Sequence, residues 1–249
     1  HDYERIQHLK GKHIDAFVID TAHGDTKAMV ETISWIKSRY DVDVVAGNIS
    51  DPDSVKILIK AGADGIKVGQ GPGSICTTRV VTGIGCPQLT AIYECAKEAR
   101  ENNPQVAVIA DGGLKYPGDV TKAIGAGADA VMMGSMLAGT DESPGDIVYK
   151  DGRQWKSYRG MGSLGAMEEN EGSRQRYRQP GRGKNALVPE GIEGLTPYKG
   201  PLDAIMVQYV GGLKSGMGYV GAADIDELHN KARFQRLSLA GKDESHPHD

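Results

Sequence analysis

The sequence predicts an α/β protein with a parallel sheet, of the TIM (β/α)8 barrel type. Three observations carry that expectation. Five short apolar runs alternate with stretches of helical periodicity, the pattern of parallel strands joined by crossover helices. One unit echoes another, because Ala61-Gly62-Ala63-Asp64-Gly65-Ile66-Lys67-Val68-Gly69 recurs as Ala126-Gly127-Ala128-Asp129-Ala130-Val131-Met132-Met133-Gly134. Each run ends in a residue suited to a site, namely Asp20, Asn48, Gly69, Asp111 and Gly134, as expected where a site gathers at the carboxyl ends of barrel strands. A doubly wound sheet also fits the alternation, but the strand-end residues favour the barrel.

Residues 14–20 form the first strand, and a helical pattern follows through Met29, Ile33, Trp35 and Ile36. The second run, Val42 to Ala46, is closed by Gly47-Asn48, with a helix from Pro52 to Lys60 ended by Gly62, a residue suited to the left-handed C-terminal position. Residues 64–68 are the third strand, after which Pro87 opens a helix carrying Leu89, Ile92 and Ala96 at helical spacing. Val106 to Ala110 and Ala130 to Met133 are the fourth and fifth strands, closed by Asp111-Gly112-Gly113 and Gly134-Ser135. Residues 140–200 lack strong periodicity and are too long for a routine connection, which predicts a mobile lid. Two helices are expected around 201–215 and 224–233, then a polar tail over 236–249. Five strands cannot close an eight-stranded barrel, so three more are expected ahead of His1, with residues 1–249 as the C-terminal portion of one catalytic domain.

Composition sets the outer limits. The 249 residues are 39% apolar and 25% charged, as in ordinary globular proteins. A net charge of -4 argues against nucleic acid or an anionic membrane surface as partner. Cys76, Cys86 and Cys95 are the only cysteines and form no CxxC pair, which suits a reducing, intracellular setting. The sequence contains no run of about 18 apolar residues, and the opening His-Asp-Tyr-Glu-Arg does not resemble an export signal. The expected location is the cytoplasm.

The stretch Gly69-Gln70-Gly71-Pro72-Gly73-Ser74-Ile75-Cys76-Thr77-Thr78-Arg79 reads as a shaped loop presenting a thiol, since glycine opens unusual torsions and proline fixes one. Exposed backbone N–H groups, hydroxyls and Arg79 would favour the nucleophilic thiolate at Cys76, whereas Cys86 and Cys95 read as structural. The dinucleotide fingerprint fails, because Ser74 replaces its third glycine and no helix is expected to open there. Asp111-Gly112-Gly113 and Gly134-Ser135 end the last two strands, where barrels commonly bind phosphate; tight turns are the plainer alternative. An ionised Asp111 could accept from ribose hydroxyls. Asp20 and Asn48 read equally as helix caps. Arg174, Arg176 and Arg178 read as a solvated charge run, and His23, His246 and His248 as surface residues outside any metal constellation.

Taken together, several motifs resemble the inosine monophosphate dehydrogenase family along essentially the whole chain. They are Gly-Pro-Gly-Ser-Ile-Cys-Thr-Thr at 71–78, Ala-Asp-Gly-Gly at 110–113, Met-Met-Gly-Ser at 132–135, Tyr-Arg-Gly-Met-Gly-Ser at 158–163, Arg-Tyr at 176–177 and Glu-Ser-His-Pro-His-Asp at 244–249. The resemblance implies a TIM-barrel enzyme oxidising IMP to XMP with NAD, through a covalent thioimidate between Cys76 and C2 of the purine.

It also implies roles. Ser74, Asp111, Gly112, Gly113, Gly134, Ser135 and Tyr158 would hold the IMP ribose phosphate, and Gly160, Met161, Gly162 and Glu190 would lie along the base. Asp20, Thr21, His23, Asn48, Gly69 and Gly71 would face NAD or the reacting centre. After NADH leaves, residues around 165–190 would fold in as a flap. Arg176 would then activate water with help from Thr78 and Tyr177; because guanidinium normally stays protonated, that implied role needs either transient proton loss in a desolvated flap or Arg176 orienting water while Thr78 and its neighbours relay the proton. A potassium ion would be bound by Gly71, Gly73 and Cys76 together with Glu244, Ser245 and His246 of a neighbouring subunit, implying a homotetramer. The first three barrel strands and the paired CBS module of the family are absent from this sequence. GMP reductase, which shares the cysteine and phosphate loops, and a non-catalytic nucleotide-binding module are the alternatives; the long flap and the Glu244 tail favour the dehydrogenase.

Overall fold

The structure is a computed structural model and describes residues 2–247; His248 and Asp249, which end the expected tail, lie outside the described residues. Helix α1 (Asp2–Lys10) leads to strand β1 (Ala16–Asp20). Thr26 opens α2 (Lys27–Lys37) by accepting the Met29 N–H, and Met29, Ile33 and Ile36 form its buried stripe. Strand β2 (Asp43–Ile49) precedes α3 (Pro52–Ala61), which has Asp51 as its cap, proline in its first turn and a left-handed Gly62 at its end. Strand β3 (Gly65–Val68) feeds the cysteine loop, the single turn α4 (Thr78–Thr82) and α5 (Gln88–Asn102). Strand β4 (Ala107–Asp111), α6 (Pro117–Gly125) and β5 (Ala130–Met132) finish the repeating units.

All five strands join one parallel sheet in the order β1-β2-β3-β4-β5. The order never reverses. A doubly wound sheet reverses at its switch point, so this succession is the wall of a barrel, as the sequence leads one to expect. Strand β3 is buried on both faces, and Val44, Ile66, Val68 and Val108 meet Ile33, Leu58 and Ile92 from the covering helices in one core. Burial of such side chains contributes roughly 1.5–3 kcal/mol each.

Four features differ from the sequence expectations. Strand β2 continues through Gly47-Asn48 to Ile49, with a register shift between Gly47 and Ile49 that leaves Asn48 out of the ladder. A helical turn does open after the cysteine loop, at Thr78, four residues beyond Ser74. The stretch 140–200 is built rather than formless: β6 (Ile147–Lys150), β7 (Arg153–Arg159) and β8 (Glu193–Pro197) make an antiparallel sheet. Its strands are largely exposed, so the alternation that marks a half-buried strand is missing. Between β7 and β8 lie α7 (Leu164–Glu169), α8 (Glu171–Arg176) and a single 3-10 turn (Lys184–Ala186). Helices α9 (Leu202–Val220) and α10 (Ile225–Lys231) fall where expected, and α9 packs against α6. Within the expected polar tail, Ser238 caps a short helix α11 (Leu239–Glu244) by accepting from the Gly241 N–H. Among the described residues no helix is long and apolar enough to cross a membrane.

Candidate active site

A cavity of about 300 Å³ opens at the carboxyl ends of β2 to β5, lined by Asn48, Gly69, the loop from Gly71 to Cys76, Asp111 to Gly113, Gly134, Ser135 and the segment around Tyr158 to Gly162. Arg176 and Tyr177 reach it from the end of α8, and Glu190 from the segment before β8. The loop's shape is imposed at its base. Gly69 has φ +148, and a Cβ there would lie 2.2 Å from the Asp111 carbonyl oxygen, so only glycine lets β3 leave the sheet beside β4. Arg79 then clamps the loop, donating from Nε to Gln70 O (2.8 Å) and from Nη2 to Cys86 O (2.5 Å). On the other flank, Thr77 N–H donates to Glu190 O (2.9 Å) and Ile192 N–H to Ile75 O (2.9 Å), which ties the loop to the strand-like segment before β8.

This pairing assembles a line of polar groups. The Cys76 thiol donates to Thr78 Oγ1 at 3.2 Å, and the Thr78 hydroxyl donates to Glu190 Oε2 at 2.8 Å. Thr78 is buried, so the contact is shielded from bulk water. Tyr177 packs over Gly162, where a Cβ would come within 2.6 Å of the ring. Burial raises the Tyr177 phenol pKa, and the nearby Arg176 charge offsets part of that rise. Cys95 lies in the core, where burial pushes its thiol up to about 12, in keeping with a structural role.

A second network underlies the cavity. Lys67, 1% exposed, bonds Asp20 Oδ1 at 2.9 Å and contacts Asp111 Oδ2. Asn48 Nδ2 donates to the same Asp111 oxygen (2.8 Å) and to Gly69 O (2.7 Å). Arg176 Nη1 pairs with Asp20 Oδ2, so α8 is latched to the end of β1. Burial alone would raise the Asp20 pKa, but the Arg176 hydrogen bond and the Lys67 charge hold it below its ordinary value. Burial lowers the Arg176 pKa, but the Asp20 hydrogen bond and charge outweigh it and hold the guanidinium above its ordinary value.

These contacts correct two sequence expectations. Asp20 and Asn48 cap no helix; both serve the network. Arg176 is not a solvated charge but a half-buried partner of Asp20, while Arg174 pairs with Glu171.

The remaining residues fall into groups. Gly112, Gly113, Gly134 and Ser135 border the cavity with Tyr158, and a Cβ on Gly134 would meet the Tyr158 hydroxyl at 2.9 Å. Burial, then the Asp111 charge, raises the Tyr158 pKa. Ser74, Gly160 and Met161 line the same space. Thr21 does not line it; its hydroxyl and N–H both donate to Gly47 O, at 2.9 and 2.8 Å. His23 meets Gln70 Nε2 at 2.9 Å. Glu244, Ser245 and His246 lie outside the cavity lining, with the His246 ring 5.4 Å from that of Tyr116.

Three supporting side chains went unnoticed in the sequence. Gln70 accepts from Ser50 Oγ (2.6 Å) and donates to Ala22 O (3.1 Å), joining the ends of β1, β2 and β3. Gln88 Nε2 donates to Val68 O (3.0 Å) and Asp111 O (3.2 Å). Lys67 carried the one available signal, a charge inside a strand that is otherwise wholly apolar.

A parallel α/β barrel wall, with a glycine-shaped thiol loop and two further glycine turns at its strand ends, defines the class of barrel proteins that build their site from strand-end loops. The chain belongs to the IMP dehydrogenase / GMP reductase family, whose domain matches residues 1–248. It is 55% identical over 247 residues to the inosine-5'-monophosphate dehydrogenase of Chlorobaculum parvum, covering 98% of this chain and 50% of that protein. To the enzyme of the same name from Aquifex aeolicus it is 55% identical, covering 99% of this chain and 49% of the relative. Among solved structures, a cysteine-to-alanine variant of GMP reductase from Trypanosoma brucei in complex with guanosine 5'-monophosphate superposes with a TM-score of 0.90 at 45% identity, covering all of this chain and 50% of that one. The chain thus spans about half the length of the curated relatives it matches.

Proposed function

We propose that this chain carries the active site of an NAD-dependent IMP dehydrogenase, oxidising IMP to XMP through a covalent adduct on Cys76. The observation that carries this reading is the line from the Cys76 thiol through Thr78 to Glu190. A thiol must lose its proton to attack, and Glu190, one hydroxyl away, is placed to receive it.

The steps balance as follows. Sulfur bonds to C2 of the purine while the thiol proton passes through Thr78 to Glu190, which releases it to solvent before the second half; the C2 hydride would leave to NAD, the two-electron acceptor that the bound cofactor would supply. Water then adds at C2 and gives a proton to the same Thr78–Glu190 line. As the C–S bond breaks, that proton returns through Thr78 to the Cys76 sulfur, restoring the thiol and releasing XMP. Glu190 thereby serves both halves. A guanidinium normally stays protonated, and Arg176 Nη1 is held on Asp20 Oδ2; its part in this reading is to latch α8 over the cavity and, with Tyr177, to orient water.

Asp111 suits the ribose hydroxyls, and the turns at Gly113 and Gly134-Ser135 suit the phosphate. NAD fits beside Asp20 and Asn48: the buried Asn48 Oδ1 has no hydrogen-bond partner among the described residues and offers an acceptor to a bound group. Because Arg176 occupies Asp20, cofactor and latch would alternate there, which makes the α7–α8 region a mobile flap. The carbonyls of Gly71, Gly73 and Cys76 are hard oxygen donors suited to potassium, completed by Glu244 to His246 of a neighbouring copy in a homotetramer.

The test is intact mass after mixing with IMP and NAD, alongside NADH formation. An adduct on Cys76 that is absent in Cys76→Ala, which still binds IMP, is the expected result. Consumption of NADPH with GMP in place of NADH formation would assign the chain to GMP reductase chemistry.

A further inference from the structure

Behind the Gly134–Met136 turn stands a cation that does not enter the cavity. Lys199, just beyond β8, donates from Nζ to Met136 O at 2.8 Å and to Ser135 O at 3.3 Å, yet it is absent from the cavity lining. Its backbone is pinned as well: Lys199 N–H donates to Gly139 O at 2.8 Å, and Gly200 bridges Thr140. The approach is so close that a Cβ on Gly139 would lie 2.1 Å from Pro197 O. Nearby Lys156 of β7, 4% exposed, donates to Thr140 O at 2.8 Å and also contacts Ser143 O. The base of the antiparallel sheet is therefore bolted to the segment 134–143 by two lysines.

A planar trans peptide points its N–H opposite to its C=O. Drawing the Ser135 carbonyl toward Lys199 therefore fixes the Met136 N–H on the opposite side. The next peptide is settled too, since Leu137 and Ala138 both donate to Gly134 O at 3.0 Å. A cation on a carbonyl also polarises its peptide and strengthens the paired N–H as a donor. Gly134 and Ser135 line the cavity, whereas Lys199 does not.

We propose that Lys199 is a positioning residue for the phosphate-binding turn Gly134–Met136, holding its N–H groups toward a nucleotide phosphate without touching the ligand. The inference rests on assigning that turn to the phosphate. Burial lowers the Lys199 pKa, and the carbonyls of Ser135 and Met136 stand where water would otherwise solvate the ammonium.

The discriminating experiment compares binding of IMP and of inosine, which lacks the phosphate, to the full chain and to Lys199→Met. The wild type is expected to prefer IMP. In K199M that preference should fall about tenfold, the scale of one hydrogen bond to a charged group, with inosine affinity unchanged and with recovery in Lys199→Arg. If K199M fails to fold, Lys199→Gln carries the same comparison. An undiminished preference for IMP, or equal weakening of both ligands, overturns the role of Lys199 alone. A wild type that binds inosine as well as IMP removes the phosphate assignment beneath it.

Discussion

Lys67 Nζ lies 2.9 Å from Asp20 Oδ1, with the lysine 1% exposed and the Asp111 carboxylate on its other side. A buried cation between two carboxylates is a positioning device more than a source of stability, because desolvation offsets much of the attraction. Removing it is another matter. Lys67→Met takes the cation from Asp111 and leaves Asp20 with Arg176 alone; breaking a buried pair costs about 3–5 kcal/mol, and the 37% exposure of Asp20 brings the loss toward the low end of that range. Urea unfolding should register that loss. A K67M protein as stable as the wild type would mean that the carboxylates find water or a proton at little cost.

The Asp20 carboxylate supplies the pH-dependent part of the same network. Burial would raise its pKa, but the Arg176 hydrogen bond and the Lys67 charge prevail and hold it below the ordinary 3.8. A depressed carboxylate pKa contributes stability that is fully present above 3.8 and lost as pH falls through the lower folded value. Its side chain is 37% exposed, so solvent screens the effect. Melting temperatures of wild type and Asp20→Asn should differ by a constant amount from about pH 5 to pH 8, then converge under acid. Protease cleavage within 164–190 should rise in D20N at neutral pH, since the Arg176 latch is weakened.

Glu190 and Thr78 act as one unit if the proton from Cys76 travels through both. Replacing Glu190 with Gln keeps the shape and removes the acceptor, so adduct formation on Cys76 should slow by about 10²-fold or more while nucleotide affinity holds. Thr78→Val interrupts the line at its middle. The two changes together should slow the reaction no more than the slower one alone, as expected for residues in series. Rapid-quench measurement of the covalent intermediate separates this from a binding defect; fully additive losses would place the residues on separate paths.

How much of this could be read from the residues follows from which forces are local. The strands β1 to β5 were legible as short apolar runs, and the helices between them by buried stripes whose spacing is written in the chain, as with Met29, Ile33 and Ile36 of α2. Candidate residues at strand ends were legible for the same reason. The antiparallel sheet β6 to β8 was not, because its largely exposed strands, such as Ile147–Lys150, carry no alternation. Partnerships were the least legible. Arg176 stands 156 positions from Asp20 and Glu190 112 from Thr78, and no local rule joins residues so far apart. Lys199 lacked even a motif, since its role is to hold backbone carbonyls.

Gly69 offers the sharpest check on whether the thiol loop is shaped or merely flexible. Its φ of +148 is a conformation that side-chain-bearing residues rarely adopt, and the missing Cβ would sit 2.2 Å from Asp111 O. The Gly69 N–H also donates to Ile49 O at 2.8 Å, and Gly69 O accepts from Asn48 at 2.7 Å, so the residue cannot shift without releasing β2. Gly69→Ala must therefore part β3 from β4 at the point where Asp111 meets Lys67 and Asn48. A cost of roughly 1–3 kcal/mol follows from the backbone strain alone, with more from the displaced contacts. If the loop works by shape, G69A should lose covalent adduct formation even at temperatures where circular dichroism shows it folded. Gly83 serves as the control: its φ is +73, but no atom lies within 4 Å of the position a Cβ would take. Gly83→Ala should therefore carry a backbone cost of about 1 kcal/mol while forming adduct at the wild-type rate. Equal loss of adduct in both variants would show that the loop needs flexibility rather than a fixed form.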